Sequence, residues 1–179
     1  MISHMTKYRI SKLFAAGLAL VMIVATPTRA TTVIPPSFEQ LVSQAEVIFQ
    51  GRVTQVVSQW AGEGAARHIV SYVTFAIEES LKGEPGQSYT IRMLGGTVDG
   101  VTMGVADAPR FSIGDSDVLF VENNGTQFIP LVGIMYGCFR IQSDSAGRIA
   151  VLDTDGQSVG ALAEFKAAIR NKLAQSKSQ

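Results

Sequence analysis

The sequence has little cysteine, little histidine and little charge. One Cys and two His among 179 residues exclude an internal disulfide framework and a histidine-rich metal site. Charged residues make up only 17% of the chain, with 15 basic side chains against 15 acidic ones. Such a balance is not typical of proteins that bind nucleic acid through bulk positive charge. The 46% of hydrophobic residues, in turn, exclude a disordered chain.

The first thirty residues have the three-part pattern of a secretory signal peptide. Basic residues lie between positions 7 and 12, Leu13–Val24 is an uncharged and mostly apolar run, and Thr28–Ala30 offers small residues for cleavage after Ala30. The apolar run is short for a bilayer span, which takes about 20 residues. An uncleaved anchor or a buried N-terminal helix is the alternative. We expect residues 1–30 to be removed and the protein to be secreted or periplasmic.

Cleavage at this point would leave residues 31–179 as a single domain. It removes four basic residues and no acidic residue, so the remaining chain has a net charge of −4. That charge disfavours nucleic acid as a partner, and no second apolar stretch is long enough for a membrane helix. His68 would be the only imidazole left.

Short strands and glycine-rich turns follow, with a helix at each end. Ser37 and Gln40 fit a capping box before a helix over 38–45. Residues 97–105 are predicted as a hairpin-like excursion, and residues 158–174 as an amphipathic helix capped by Ser158. The alternation of apolar residues predicts strands over 47–57, 69–77, 89–93, 117–122, 126–132, 138–142 and 148–152. The fold class is therefore mainly β: a small antiparallel OB-like barrel or sandwich flanked by the two helices.

Two segments of the sequence resemble a known family. Phe38–Val53 reads Phe-x-x-Leu-Val-x-x-Ala-Glu-Val-Ile-Phe-x-Gly-x-Val, and a later strand ends in Leu81-Lys82-Gly83. Both resemble the opening of netrin-like domains, which include the tissue inhibitors of metalloproteinases. The chain is also similar to uncharacterised secreted bacterial proteins with a Gly-Gly pair in mid-chain and a Gly-x-Phe-Arg strand, here Gly95-Gly96 and Gly137–Arg140. The netrin-like resemblance covers about a third of residues 31–179 and implies an OB-type barrel.

The inhibitory residues of that family have no counterpart here. The animal inhibitors use a disulfide-bonded N-terminal Cys whose amine and carbonyl reach the protease zinc. The predicted mature end of this chain is Thr31-Thr32-Val33, and no Cys lies near it. The resemblance therefore implies a fold rather than an activity.

Six residues are candidates for a binding site, and each has a structural alternative. Aromatic residues of OB-type surfaces stack on ligands, and glycine-rich loops can form the mouth of a barrel. The alternatives are a Trp that covers the barrel edge, an exposed His at a strand edge, and glycines required only by the backbone. The candidates are Trp60, His68, Gly95, Gly96, Pro109 and Phe111.

No catalytic, metal or cofactor site is predicted. Residues 153–164 place acids at calcium-loop spacing, but Asp153–Asp155 is more typical of a turn. Asp115 and Asp117 are also interpreted as turn residues. Cys138 is interpreted as a packed strand residue, with an intermolecular disulfide or a reactive thiol as alternatives.

The sequence predicts a secreted or periplasmic non-enzymatic module that binds a protein partner through loops 61–66 and 95–116. The netrin-like resemblance narrows the partner to a secreted metalloprotease that the protein inhibits or chaperones. Two alternatives stay open. One is an envelope hydrolase whose site is not recognisable from the sequence, with His68 as a residue to test, since no Gly-x-Ser-x-Gly elbow is present. The other is a self-assembling structural envelope protein.

Overall fold

A computed structural model describes residues 35–143 and 147–176. The predicted signal peptide, residues 1–30, and the predicted mature end, residues 31–33, lie outside these residues.

The described chain is mainly β, with one helix at each end, as predicted. Seven antiparallel strands form one sheet in the order β3-β2-β1-β6-β7-β8-β9, and β4 pairs with β5 in a separate hairpin. The described sheet therefore ends in two edge strands and does not close by strand pairing. In chain order the elements are α1 (Phe38–Gln44), β1 (Val47–Ala61), a 3-10 turn (Gly64–Ala66), β2 (His68–Lys82), β3 (Ser88–Leu94), β4 (Gly96–Val98), β5 (Val101–Met103), β6 (Ser116–Val121), β7 (Cys138–Ser143), β8 (Ile149–Leu152), β9 (Ser158–Ala161) and α2 (Leu162–Ser176).

The predicted capping box starts α1. The Ser37 hydroxyl accepts from the Gln40 backbone N–H at 3.2 Å, and the Gln40 side chain accepts from the Ser37 N–H at 2.7 Å. These two bonds satisfy N–H groups that a helix start leaves unpaired. Leu41 and Val42 are buried, so the helix lies with its apolar side against the sheet.

Gly51 marks a bulge in β1. The pairing of β1 with β2 shifts register between Gln50 and Gly51. A Cβ atom at Gly51 would lie 2.9 Å from the carbonyl oxygen of Ala76, closer than real Cβ contacts. The glycine therefore allows a close backbone approach between the two longest strands. These strands form a ribbon that is longer than the sequence predicted, because β1 continues to Ala61 and β2 to Lys82.

Two apolar clusters occupy opposite faces of the sheet. Successive residues of a strand point to opposite faces, so β6 contributes Val118 and Phe120 to one cluster and Leu119 and Val121 to the other. The first cluster packs under the helices and includes Leu41, Ile48, Phe139, Phe165 and Ile169. The second lies on the other face of the sheet and includes Phe49, Val53, Phe75, Ile91 and Met93. This double burial explains why β6 is an almost continuous apolar run.

Residues 126–132 do not form the predicted strand. They contact β6 through one bridge, Val121 to Leu131, and the segment contains Pro130, which has no N–H to donate. The amides of Thr126 and Gln127 bond instead to the carbonyl of Asn123 in a turn. The segment covers the outer edge of β3, where Leu94 N–H donates to the Phe128 carbonyl at 2.7 Å.

The C-terminal helix begins later than predicted. Ser158–Ala161 is strand β9, paired with β8, and α2 starts at Leu162. Gly160 has a φ of +128°, which no α-helix contains, and Val159 is 43% exposed rather than part of the apolar face. The preceding turn prediction is confirmed, since the Asp153 carboxylate accepts from the N–H groups of Asp155 and Gln157.

Candidate functional site

A cleft of about 410 Å³ lies beside the β1–β2 ribbon. Its floor continues the second apolar cluster and comprises Val56, Ser58, Ser71, Val73 and Met93. Its walls are the end of β3, the β4–β5 hairpin and the segment 104–111. A cavity of this size suits a small molecule or a few residues of an extended peptide.

Gly95 and Gly96 bring the chain into the cleft. Their φ angles are +105° and +137°, a region that other residues rarely adopt. A Cβ at Gly96 would overlap the hydroxyls of Ser71 and Ser58. The Ser71 hydroxyl donates to the Gly95 carbonyl at 2.6 Å and lies 2.8 Å from the Ser58 hydroxyl. These contacts fix the entry of β4 against the ribbon.

The β4–β5 hairpin forms one wall. Asp99 and Gly100, at its turn, both have positive φ, which matches the twist of a two-residue hairpin. The hydroxyls of Thr97 and Thr102 lie 2.9 Å apart across the two strands. The predicted excursion over 97–105 is therefore a hairpin, and it leaves Val101 48% and Met103 37% exposed.

The opposite wall is the irregular segment 104–111. Phe111 holds it to the floor, because its ring packs edge to face on the buried Phe75 ring with centroids 5.4 Å apart. Pro109 and Arg110 line the cleft beside Phe111.

Arg140 of β7 ties this segment to the sheet. Its Nε donates to Asp117 and its Nη1 to Asp115, each at 2.9 Å, and its Nη2 donates to the carbonyl oxygen of Arg110 at 3.0 Å. A guanidinium presents several N–H groups in a rigid fork, so one side chain can hold several acceptors at once.

Asp117 is a buried strand residue, and its interpretation as a turn residue is wrong. It lies on β6 with its side chain fully buried, directly opposite Arg140 in the strand register. Burial raises the pKa of its carboxyl to about 6, although the Arg140 charge works in the other direction. A lone acid in the apolar run 116–121 and a lone Arg in the strand 138–143 were the available sequence indications of this pair.

Cys138 is buried, as predicted. Its Sγ lies 3.9 Å from the Asp117 carboxylate, and burial raises the pKa of the thiol well above its usual range. A protonated buried thiol is a poor nucleophile, so the packed-residue interpretation fits its surroundings better than the reactive one.

Four of the six predicted binding residues line the cleft, namely Gly95, Gly96, Pro109 and Phe111. Trp60 and His68 do not line it. They lie near the end of the β1–β2 ribbon, where the Arg67 guanidinium stacks 4.0 Å from the centre of the Trp60 ring. His68 Nδ1 lies 2.8 Å from the carbonyl of Ala66. These contacts are typical of residues that pack where two paired strands end.

Within residues 35–143 and 147–176, no group of three or more His, Cys, Asp or Glu side chains is placed to hold a metal ion. No helix in that part of the chain is long and apolar enough to cross a membrane. No protein-family model, curated protein or solved structure matches this chain.

Proposed function

We propose that the protein is a secreted or periplasmic binding module that holds a segment of a protein partner in the cleft. The observation that supports it most is the cleft itself, a preformed opening of about 410 Å³ next to exposed Val101 and Met103. Apolar side chains exposed beside a concave site are typical of interaction surfaces. The N-terminal pattern of residues 1–30 supports the location.

The lining favours an extended segment with an apolar side chain. Val56, Val73 and Met93 offer an apolar floor, and Met103 at the rim can adapt its shape to a ligand. The Ser58 and Ser71 hydroxyls are already hydrogen-bonded to one another, and Ser71 also donates to the Gly95 carbonyl. A ligand therefore does not have to supply hydrogen-bonding groups to these two side chains. Arg110 is the one charged side chain among the described residues of the lining, which disfavours a cationic segment.

A secreted metalloprotease is the narrower proposal, based on the netrin-like resemblance. Because the chain lacks the N-terminal Cys of the animal inhibitors, any inhibition would act through the cleft and its loops. Purified zinc proteases of the host, assayed with excess mature protein, test this step. Unchanged protease activity at stoichiometric excess would rule out inhibition but leave the binding module standing.

Site-specific photocrosslinking tests the binding proposal. A photoreactive amino acid replaces Met103 in one full-length variant and Val57 in a matched control. Val57 is 43% exposed but lies between Val56 and Ser58, whose side chains line the cleft, so it points to the other face of β1. We expect a single partner adduct from position 103 in the envelope fraction and none from position 57.

The partner is then purified and titrated with the mature protein. We expect a one-to-one complex, with Met103→Glu weakening it at least about tenfold and Val57→Glu leaving it unchanged. Adducts that form equally at both positions, or not at all, would contradict the proposal. An adduct with a second copy of the chain would instead favour self-assembly. The intact mass of the exported protein tests cleavage after Ala30.

A further inference from the structure

We propose that the Asp117–Arg140 pair is a pH-sensitive latch on the segment 104–112, and therefore on the wall of the cleft. The latch is a property of the folded chain, and only its effect on partner binding rests on the proposed function. Arg140 acts here as a positioning residue, because it touches the backbone of the wall rather than the cleft.

The far end of the segment is held independently of Arg140. Gly114 N–H donates to the Val53 carbonyl at 2.9 Å, and Val53 N–H donates to the Asp115 carbonyl at 2.8 Å. Arg52 adds a bond from Nη1 to the Gly114 carbonyl. Residues 114 and 115 therefore stay on β1 whatever Arg140 does.

The rest of the segment depends on fewer contacts. Residues 104–112 contain neither helix nor strand, and Gly104, Ala106, Asp107, Arg110 and Ser112 are exposed. Three partly buried side chains of this stretch, Val105, Ala108 and Phe111, pack against the second apolar cluster, and the Arg110 carbonyl accepts from Arg140. Loss of the Arg140 contact would leave these three apolar contacts to hold the wall. Segments with few buried contacts open locally without global unfolding.

Asp117 orients the guanidinium of Arg140. With Nε fixed on the buried carboxylate, Nη1 and Nη2 point to Asp115 and to the Arg110 carbonyl. The ionisable groups that face Asp117 are Arg140 and the Cys138 thiol from β7, and Asp115, which lies just beyond the segment and is held on β1. On β1 the residue opposite is Gly51, which has no side chain.

Protonation of Asp117 therefore weakens the latch. The second carboxyl oxygen of Asp117 is buried and has no hydrogen-bond partner in the described chain, so burial strongly opposes the charge. The same burial places the pKa of the carboxyl at about 6, within the range that an envelope protein can meet. Below that pH the guanidinium keeps its pair with Asp115 but loses the buried charge that holds Nε, and we expect the wall to open more often.

Trypsin reports this opening directly, because it cleaves after Arg110 when the wall leaves the sheet. At pH 8 we expect Arg140→Met to be cleaved after Arg110 at least about tenfold faster than wild type, and Asp117→Asn to be intermediate. Cleavage after Arg67 serves as the internal control. Arg170→Met, which removes a cation of α2 that pairs with Glu79 of β2, is the matched control and should cleave like wild type.

Hydrogen exchange supplies the pH test without any partner. The amides of residues 105–112, corrected for intrinsic exchange rates, should lose protection by about fivefold or more between pH 7.5 and pH 5 in wild type. Asp117→Asn, whose side chain does not ionise, should give the same protection at both values. Circular dichroism confirms that each variant is folded.

Protection that does not depend on pH in wild type, or that depends on it equally in Asp117→Asn, would overturn the latch. If Arg140→Met does not fold, the Asp117→Asn comparison still decides the question. If hydrogen exchange shows the latch but crosslinking finds no partner, this inference stands and the result counts against the proposed function. If crosslinking finds a partner but hydrogen exchange shows no latch, the proposed function stands and this inference is overturned.

Discussion

Lys82, the last residue of β2, caps the end of α1. Its ammonium donates to the carbonyl oxygens of Val42 at 2.9 Å and Ser43 at 3.1 Å. The last carbonyls of a helix lack partners within it, and a cation there also complements the helix dipole. The next residue, Gly83, has a φ of +74°, and a Cβ there would lie 2.9 Å from the Glu46 carbonyl. Lys82 and Gly83 thus join the end of β2 to the connection between α1 and β1.

This contact joins the two segments of the chain on which the predicted netrin-like resemblance is based. The pattern over Phe38–Val53 builds α1 and β1, and the Lys-Gly pair forty residues later holds the junction between them. Both motifs therefore contribute to the same junction, the connection between α1 and β1. The resemblance itself stays a prediction.

Replacing Lys82 with Met should destabilise the protein. The variant removes two charge-assisted hydrogen bonds at a partly buried helix end, at a cost of about 1–3 kcal/mol. Urea unfolding measures the free energy. Lys172→Met is the matched control, because Lys172 pairs with Glu39 across an exposed 3.5 Å contact that should contribute less than about 0.5 kcal/mol. Equal losses in the two variants would contradict the capping role.

Gly51→Ala should destabilise the β1–β2 ribbon. The new Cβ would press on the Ala76 carbonyl at 2.9 Å and on the Phe49 ring at 3.1 Å, and such overpacking costs about 1–3 kcal/mol. Gly104→Ala is the control, since nothing lies within 4 Å of a Cβ there and its φ is not positive. Thermal unfolding should give a lower melting temperature for Gly51→Ala than for Gly104→Ala. A neutral Gly51→Ala variant would show that the bulge relaxes easily.

Asp117→Asn should change how stability depends on pH. The pKa of Asp117 rises from its ordinary 3.8 to about 6 on folding, so the folded state favours the protonated form. The stability contribution of this group is therefore present below about pH 3.8 and is lost as the pH rises through 6. As the pH rises from 4 to 8, the free energy of unfolding of the variant should increase relative to that of wild type by on the order of 2–3 kcal/mol.

Urea unfolding of both proteins across this range measures the difference, and the subtraction cancels groups that titrate alike in both, such as Glu79. Hydrogen bonds and charges around Glu79, led by the bond from Lys166, lower its pKa, so its contribution runs in the opposite direction. A difference that does not change with pH would mean that folding leaves the pKa of Asp117 unchanged.

Asn124→Ala should open the outer edge of β3. The Asn124 side chain acts as a substitute strand partner: its Nδ2 donates to the Thr90 carbonyl at 2.8 Å, and its Oδ1 accepts from the Arg92 N–H at 3.1 Å. Removing it should cost about 1–2 kcal/mol and expose the Arg92 amide to faster hydrogen exchange. Asn171→Ala, on the exposed side of α2, is the control. Unchanged exchange at Arg92 would show that water replaces the side chain without loss.

Local patterns predicted most of the elements. The α1 cap and the β4–β5 hairpin depend on interactions within a few residues, so the sequence displays them directly. Four of the six candidate residues line the cleft, because glycines and a proline indicate where the chain leaves regular structure. Trp60 and His68 are predicted from the chemistry of their side chains alone, and the structure places them outside the cleft lining.

Where the expected pattern failed, pairing with a neighbouring strand or a turn overrode it. Val159 has helical spacing with Leu162 and Phe165, yet β8 offered an open edge and Ser158–Ala161 paired with it. Residues 126–132 alternate like a strand, yet Pro130 and the turn at Asn123 leave them covering the edge of β3.

The sequence by itself determined which residues are apolar, where helices start and where turns lie, because those preferences act over a few neighbouring residues. Only the tertiary structure decided that Asp117 meets Arg140, twenty-three positions away, and that both hold the wall of a cleft. The register between β6 and β7 sets the pairing of Asp117 with Arg140, and burial raises the pKa of the Asp117 carboxyl. Neither the register nor the burial belongs to any single segment of the chain.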